Sequence, residues 1–431
     1  MKYMPVLLAV TCLLSAVQAQ WLETTIAMPH SSAPIALCYS QQQNKVYCSL
    51  LDDGAVAVID GASNQILSVV AAGYNARELC YNSLNNYLYC TNYASGGQVT
   101  VISGAMDSVV GTVSVGVSPG ALCYNPQNNK VYCANWLSDN VTVIDGATNQ
   151  VITTVTTGAY PRVLCYNPQN NKVYSANSES DNVTVIDGAT DSVLATVVVG
   201  TQCFPRALCY NSQDNKVYCA NEVPGGIVVV IDGTTNELIA RVTAGSSPWT
   251  LCYNPLNDKI YCANNMGGDV TVIDGEADIA LTTVPVGAEP SALLFGVENN
   301  KVYCANYASG SVTVIDGAAD TVVRTIEVGG GPYALAHNPM QNRVYVANPI
   351  SSSISVIRDS MPVGIEESPK PQAVSSRPTP TVVRGLPAGA VAFDAMGRRV
   401  VNAKPGVYFV GEGSGAGGQG SGRMRKVVVQ R

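Results

Sequence analysis

The stretch ALCYNPQNNKVYCANWLSDNVTVIDGATNQVITTV, residues 121–155, reads as four short strands joined by tight turns. Ala121–Asn125 is expected to form a first strand, A, with Pro126–Asn129 as the turn that follows. Lys130–Ala134 is expected as strand B and Val141–Ile144, with its Val/Thr alternation, as strand C. Asp145-Gly146-Ala147-Thr148-Asn149 supplies a second turn, and Val151–Val155 makes strand D. β-Branched runs bounded by Asn, Pro, Asp and Gly at fixed offsets favour hairpins over helices.

The unit repeats along the chain. The residue after the strand B tyrosine can be followed through Cys48, Cys90, Cys133, Ser175, Cys219, Cys262, Cys304 and Val346, in steps of 42, 43, 42, 44, 43, 42 and 42. Four strands in a period of this length is the arithmetic of a propeller blade. So even a period across residues 22–358 leaves no room for a separate domain inside it. The array starts with a D-like strand, Leu22–Ile26, and ends with B and C strands, Asn342–Asn348 and Ser353–Ile357, that lack a D. If the first strand completes the last blade, the ring closes with no open edge. The expectation is an all-β propeller of eight four-stranded blades over residues 20–359. Seven blades with one unit outside the ring is the alternative.

Val-Tyr-Cys-Ala-Asn, then Val-Thr-Val-Ile-Asp-Gly, then Val-Gly-x-x-Pro, resembles the YVTN-type β-propeller repeat of bacterial and archaeal surface proteins. The resemblance covers nearly all of residues 22–358, with Cys often in place of that family's second Val. It implies the fold. Function does not follow from it, because related propellers serve many purposes.

The ends carry different information. Lys2, the apolar run Pro5–Leu14 and the small-residue site Val17-Gln18-Ala19 read as a signal peptide over residues 1–19. No later stretch has the 18 apolar residues needed for a transmembrane helix, so the protein is expected to be secreted or at the cell surface. Residues 360–380 are a Pro/Ser-rich linker. Residues 381–431 read as hairpins of a small β-domain: Ala390–Phe393, the Asp394/Gly397/Arg398 turn, Gly406–Phe409 and Lys426–Arg431. These positions resemble the type A C-terminal sorting domain of type IX secretion cargo, which implies secretion machinery as a partner.

The net charge of −7 argues against nucleic acid as a partner. Residues 360–431 carry ten basic and four acidic side chains, a net of +6, so the propeller bears the acidic excess. No nucleophile elbow, zinc-protease, P-loop or dinucleotide motif stands in a fitting context, and two histidines leave little for general-base chemistry. The leading expectation is a non-catalytic binding or scaffold module with no cofactor and no metal. The alternatives are a hydrolase or lactonase, or a cofactor-binding propeller, on the same scaffold.

Three sets of repeated residues could carry chemistry. Five repeats place cysteines ten apart, Cys38/Cys48, Cys80/Cys90, Cys123/Cys133, Cys209/Cys219 and Cys252/Cys262, which fits either cross-strand disulfides or buried thiols. The Asp-Gly turns at Asp60, Asp145, Asp187, Asp232, Asp274 and Asp316 fit hairpin chemistry better than calcium loops. The Asn after strand B (Asn92, Asn135, Asn177, Asn221, Asn264, Asn306, Asn348) is expected to bond local backbone.

The loops between D and the next A vary where the turns do not. One position runs Ile35, Arg77, Gly120, Arg162, Arg206, Trp249, Ser291, Tyr333 around the ring. It lies at the start of the innermost strand, so these side chains should surround one mouth of the axial channel. Arg77, Arg162, Arg206, Trp249 and Tyr333 suit an anionic or sugar-like ligand, a glycan or a protein, through bidentate hydrogen bonds and stacking. Tyr93, Trp136 and Tyr307, on the B–C loops, are expected to extend this face outward.

Overall fold

The computed structural model describes residues 20–359, except position 95, and the backbone of five short strands between residues 382 and 429. Two units separate at Ile365 and Glu366. The first is an eight-bladed propeller, each blade a four-stranded antiparallel sheet. In blade 3 the strands are Pro119–Asn125, Lys130–Asn135, Asn140–Asp145 and Val151–Thr156, so strand A starts two residues earlier than its sequence suggests. The eight A strands face one another around the axis.

The ring closes through the N-terminal strand. Trp21–Ala27 pairs antiparallel with Ser353–Arg358, placing Ile26 opposite Ile354 and Leu22 opposite Ile357. It is the outer strand of blade 8, as the strand count required.

The core lies between blades. Each apolar cluster joins the face of one blade to the next: Val56 and Val58 of blade 1 pack with Leu88, Cys90 and Ile102 of blade 2. Tyr345, Ile354 and Val356 of blade 8 pack with Val46, Cys48 and Ile59 of blade 1, which seals the ring. The strand B tyrosines, from Tyr47 through Tyr345, are fully buried in these seams.

Polar clasps reinforce the seams on the turn face. Lys130 Nζ and Tyr132 Oη both bond the Asp191 carboxylate of the next blade at 2.8 Å. Lys216 and Tyr218 share Asp278 in the same way, at 2.9 and 2.5 Å, as do Lys259 and Tyr261 with Asp320 at 2.6 and 2.7 Å. At the closing seam Arg343 takes over, bonding the Gly61 and Ala62 carbonyls of blade 1 at 2.7 and 2.9 Å while Glu23 of its own blade holds it in a bidentate pair at 2.6 and 2.7 Å. A second belt links strand A of one blade to the turn of the next, as in Asn125 Nδ2 to Asn171 Oδ1 at 2.8 Å. The accepting residue, Asn129 or Asn171, has φ of 51°, a left-handed turn conformation that Asn tolerates.

The paired cysteines are a correction. Cys38 stands opposite Tyr47, and Cys48 stands opposite Leu37. The same one-residue offset separates Cys80 from Cys90, Cys123 from Cys133, Cys209 from Cys219, and Cys252 from Cys262. Neighbouring positions on a strand point to opposite faces, so the two thiols of a pair face different seams. Cys38 packs toward blade 2 and Cys48 toward blade 8. The cysteines among the described residues are free, and burial pushes the Cys38 thiol up to about 12.

The Asp-Gly turns behave as turns. Asp145 Oδ1 accepts the N–H groups of Ala147 and Thr148 at 2.7 and 2.9 Å, and those bonds hold its carboxyl below the usual range. The Asn after strand B differs from expectation. Asn135 Nδ2 bonds the side chains of Asn140 and Thr142 on strand C, at 2.8 and 2.9 Å, and Asn177 repeats the pattern with Asn182 and Thr184. Asn221, where strand C offers Val229 in place of Thr, bonds backbone carbonyls.

In the second unit the strands Val382–Val383, Ala390–Phe393, Arg399–Val400, Gly406–Glu412 and Met424–Val429 form one sheet, with Val382–Val383 parallel to Met424–Val429. The expected signal peptide at 1–19, the expected linker at 360–380 and the Asp394/Gly397/Arg398 turn lie outside the described residues.

Candidate ligand site at the channel mouth

A cavity of about 370 Å³ opens at the axis, on the face that carries the D–A and B–C loops. All eight variable positions line it: Ile35, Arg77, Gly120, Arg162, Arg206, Trp249, Ser291 and Tyr333. In blades 1 to 7 each sits one residue into strand A, where a bulge interrupts pairing with strand B and frees the side chain for the axis, and in blade 8 Tyr333 immediately precedes the shorter strand A, Ala334–Asn338.

Arginines and aromatic rings interleave on one side of the mouth. The Arg77 guanidinium lies 5.2 Å from the Tyr93 ring centroid and 4.9 Å from that of Trp136. Arg162 lies 5.4 Å from the same Trp136 ring, and Arg206 lies 3.0 Å from the Trp249 ring. Such contacts hold a guanidinium in place while leaving its N–H edges free to bond. Arg206 is also paired with Glu222 at 3.2 Å. Burial, with the Arg162 charge beside it, draws the Arg206 guanidinium down to about 10, and Glu222 only partly offsets this. An anion between Arg162 and Arg206 would relieve that repulsion.

Trp136 departs from its expected place. It was assigned to the outer loops, yet it lines the cavity and is nearly buried. Gly120 is the reason, because a Cβ there would lie 2.0 Å from the indole. The one blade with no side chain at the variable position lets its B–C loop fold an indole inward. Tyr93 and Tyr160 brace that indole at centroid distances of 5.2 Å each. Tyr307 stands edge-on to Tyr333 at 6.4 Å. Tyr93 and Tyr307 thus support the lining residues from behind.

Glu78 was not foreseen. It lines the same cavity, and burial pushes its carboxyl up to about 7 against the pull of Arg77 and the Leu79 N–H. The signal was available one residue beyond the variable position, where the repeats read Ala36, Glu78, Ala121, Val163, Ala207, Thr250, Ala292 and Ala334. Among the described residues, no group of three or more His, Cys, Asp or Glu is arranged to hold a metal ion.

Eight blades closed by their N-terminal strand, with an arginine-lined cavity at one end of the axis, define an eight-bladed β-propeller. The chain belongs to the YNCE-like beta-propeller family, whose model matches residues 92–372. Among solved structures it is similar to the computationally designed Ika8 protein, at 20% identity and a TM-score of 0.66, over 78% of this chain and 99% of that one. It is also similar to hydrazine synthase of Kuenenia stuttgartiensis, at 19% identity and a TM-score of 0.55, over 66% of this chain and 95% of that one. At these identities the likeness is one of fold. None of the curated proteins matches the chain.

Proposed function

We propose that the chain is a non-catalytic binding propeller that captures an anionic ligand at the channel mouth. The observation that supports this is the set of three arginines converging on one cavity, each with its guanidinium over an aromatic ring. Preset donors lose little freedom when they grip a carboxylate, sulfate or phosphate group. The rival hydrolase reading calls for several acids at the mouth, and Glu78 is the one acid lining this cavity.

The test uses citrate as probe, measured by calorimetry. Replacing Arg162, Arg206 and Trp249 together by Ala should weaken citrate binding by roughly 5- to 30-fold, about 1–2 kcal/mol, with little change in melting temperature. Unchanged binding in that variant, with a loss on altering the A–B or C–D turns, would put the site on the opposite face.

The leader at residues 1–19 and the tail at 381–431 support a further part of this reading, that the propeller works outside the cell membrane and is delivered there by type IX secretion machinery. A chain ending at residue 359 should fold and bind citrate as the full protein does, yet stay in the periplasm of its host. Delivery of that chain to the surface at the normal level would remove the sorting role.

A further inference from the structure

We propose that the mouth takes a bipolar ligand, an α-amino-acid-like zwitterion whose carboxylate meets the arginines and whose ammonium meets Glu78. The inference rests on the anion-binding reading above and adds the second half of the ligand.

The argument starts from what Glu78 does to the fold. Seven blades place Ala, Val or Thr at this position, so the architecture has no need of an acid there. A carboxylate drawn out of water is unfavourable unless it is paired. Among the described residues Glu78 forms no ion pair, and its carboxyl accepts from the Leu79 N–H. Its closest cation, Arg77, has its guanidinium over the Tyr93 and Trp136 rings. The other titratable groups around it are the thiols of Cys80 on its own strand, Cys38 on the neighbouring A strand and Cys90 on the strand B beside it. Burial keeps all three protonated, so none supplies a charge. Arg162, Arg206 and Tyr333 complete the lining of the shared cavity.

The remaining ligand classes fit less well. For a plain anion, Glu78 opposes the field of the arginines. For a neutral sugar, the three arginines are superfluous, and guanidiniums already lie over the Trp136 and Trp249 rings on which a sugar would stack. A ligand with a negative and a positive end satisfies both sets of groups. A cavity of about 370 Å³ has room for a molecule of amino-acid size.

The experiment is calorimetry of the full mature chain against a panel of α-amino acids, each beside the carboxylic acid that lacks its amino group. At least one amino acid should bind tenfold or more tightly than its deaminated partner. Its binding should release protons and tighten as pH rises from 6 to 8, because an ammonium at Glu78 favours the ionised carboxyl. Glu78→Gln should erase the preference and strengthen binding of the plain acid, with melting temperature confirming that the variant is folded. The proposal is overturned if no amino acid exceeds its partner, if E78Q keeps the preference, or if binding takes up protons. Plain-acid binding that is lost in R162A/R206A, with no amino-acid preference, removes the bipolar ligand and leaves the anion site standing. Binding of neither class, or binding indifferent to the arginines, removes both.

Discussion

A chain lacking residues 20–28 is expected to melt far below the intact propeller. The missing segment holds the outer strand of blade 8, which pairs with Ser353–Arg358 along its length. Glu23 goes with it, leaving the buried Arg343 guanidinium without its bidentate carboxylate and removing a 3.2 Å contact to Arg358. A buried charge stripped of its partner is among the more damaging single losses in a fold. Met28 leaves the cluster between blades 8 and 1, and its N–H bond of 2.9 Å to the Ser352 carbonyl is lost. Summing strand hydrogen bonds and buried apolar surface suggests a loss on the order of 5 kcal/mol, or roughly 10 °C in melting temperature. The exposed strand edge should also make the truncated chain self-associate with rising concentration. Calorimetric melting with sedimentation at two concentrations checks both effects. Equal melting temperatures for the two chains would mean that closure by the N-terminal strand does not hold the ring.

The second large effect concerns pH. The Glu78 carboxyl has an ordinary value of 4.5 that burial raises to about 7 in the folded chain. Between those values the folded state binds the proton more tightly than the unfolded state, so stability falls as pH rises through this window. Below pH 4.5 the carboxyl is neutral in both states and Glu78 imposes no penalty. Above pH 7 the full penalty is present, on the order of 2 kcal/mol once contact with cavity water is allowed for. Glu78→Gln removes it. The variant should therefore match the parent near pH 4.5 and exceed it in melting temperature increasingly up to pH 7, then hold a constant lead. Groups that titrate elsewhere are common to both proteins and cancel in the difference. A lead that is flat across pH, or that shrinks as pH rises, contradicts the burial of this carboxyl.

The architecture could be read from the sequence because the repeat supplies eight readings of one blade, and an unpaired D at the start matches a missing D at the end. The ring of variable residues could be read for the same reason, since invariant turns make the changing position stand out. What could not be read depended on register and on neighbours. A spacing of ten suggested that Cys38 and Cys48 face each other, but residues 40 and 45 flank the turn as a pair, so positions 38 and 47 are opposed. That single residue turns a cross-linked hairpin into two thiols in separate seams. Trp136 was assigned outward because a loop residue normally points to solvent. Only the empty space above Gly120, a residue of a different strand, draws it in. Glu78 is hidden in the sequence because the seven other blades carry Ala, Val or Thr at its position, which reads as packing rather than as part of a site.

The uneven decoration of the mouth has a consequence for how a guest can sit. The scaffold is close to eightfold in its backbone, so by itself it offers eight equivalent settings about the axis. The side chains cancel that freedom. Blades 2 through 6 contribute the arginines, the indoles and Glu78, while blades 7, 8 and 1 contribute Ser291, Tyr333 and Ile35. One half of the rim is charged and the other is neutral, so a guest has a single rotational setting, fixed as a key is by its notches. Most blades set one notch through a side chain that the lysine and arginine clasps do not use; Ser291, whose hydroxyl bonds the Pro332 carbonyl of the next blade at 2.7 Å, is one that also ties a seam. The wheel can therefore keep its rigidity while its lock is recut one spoke at a time.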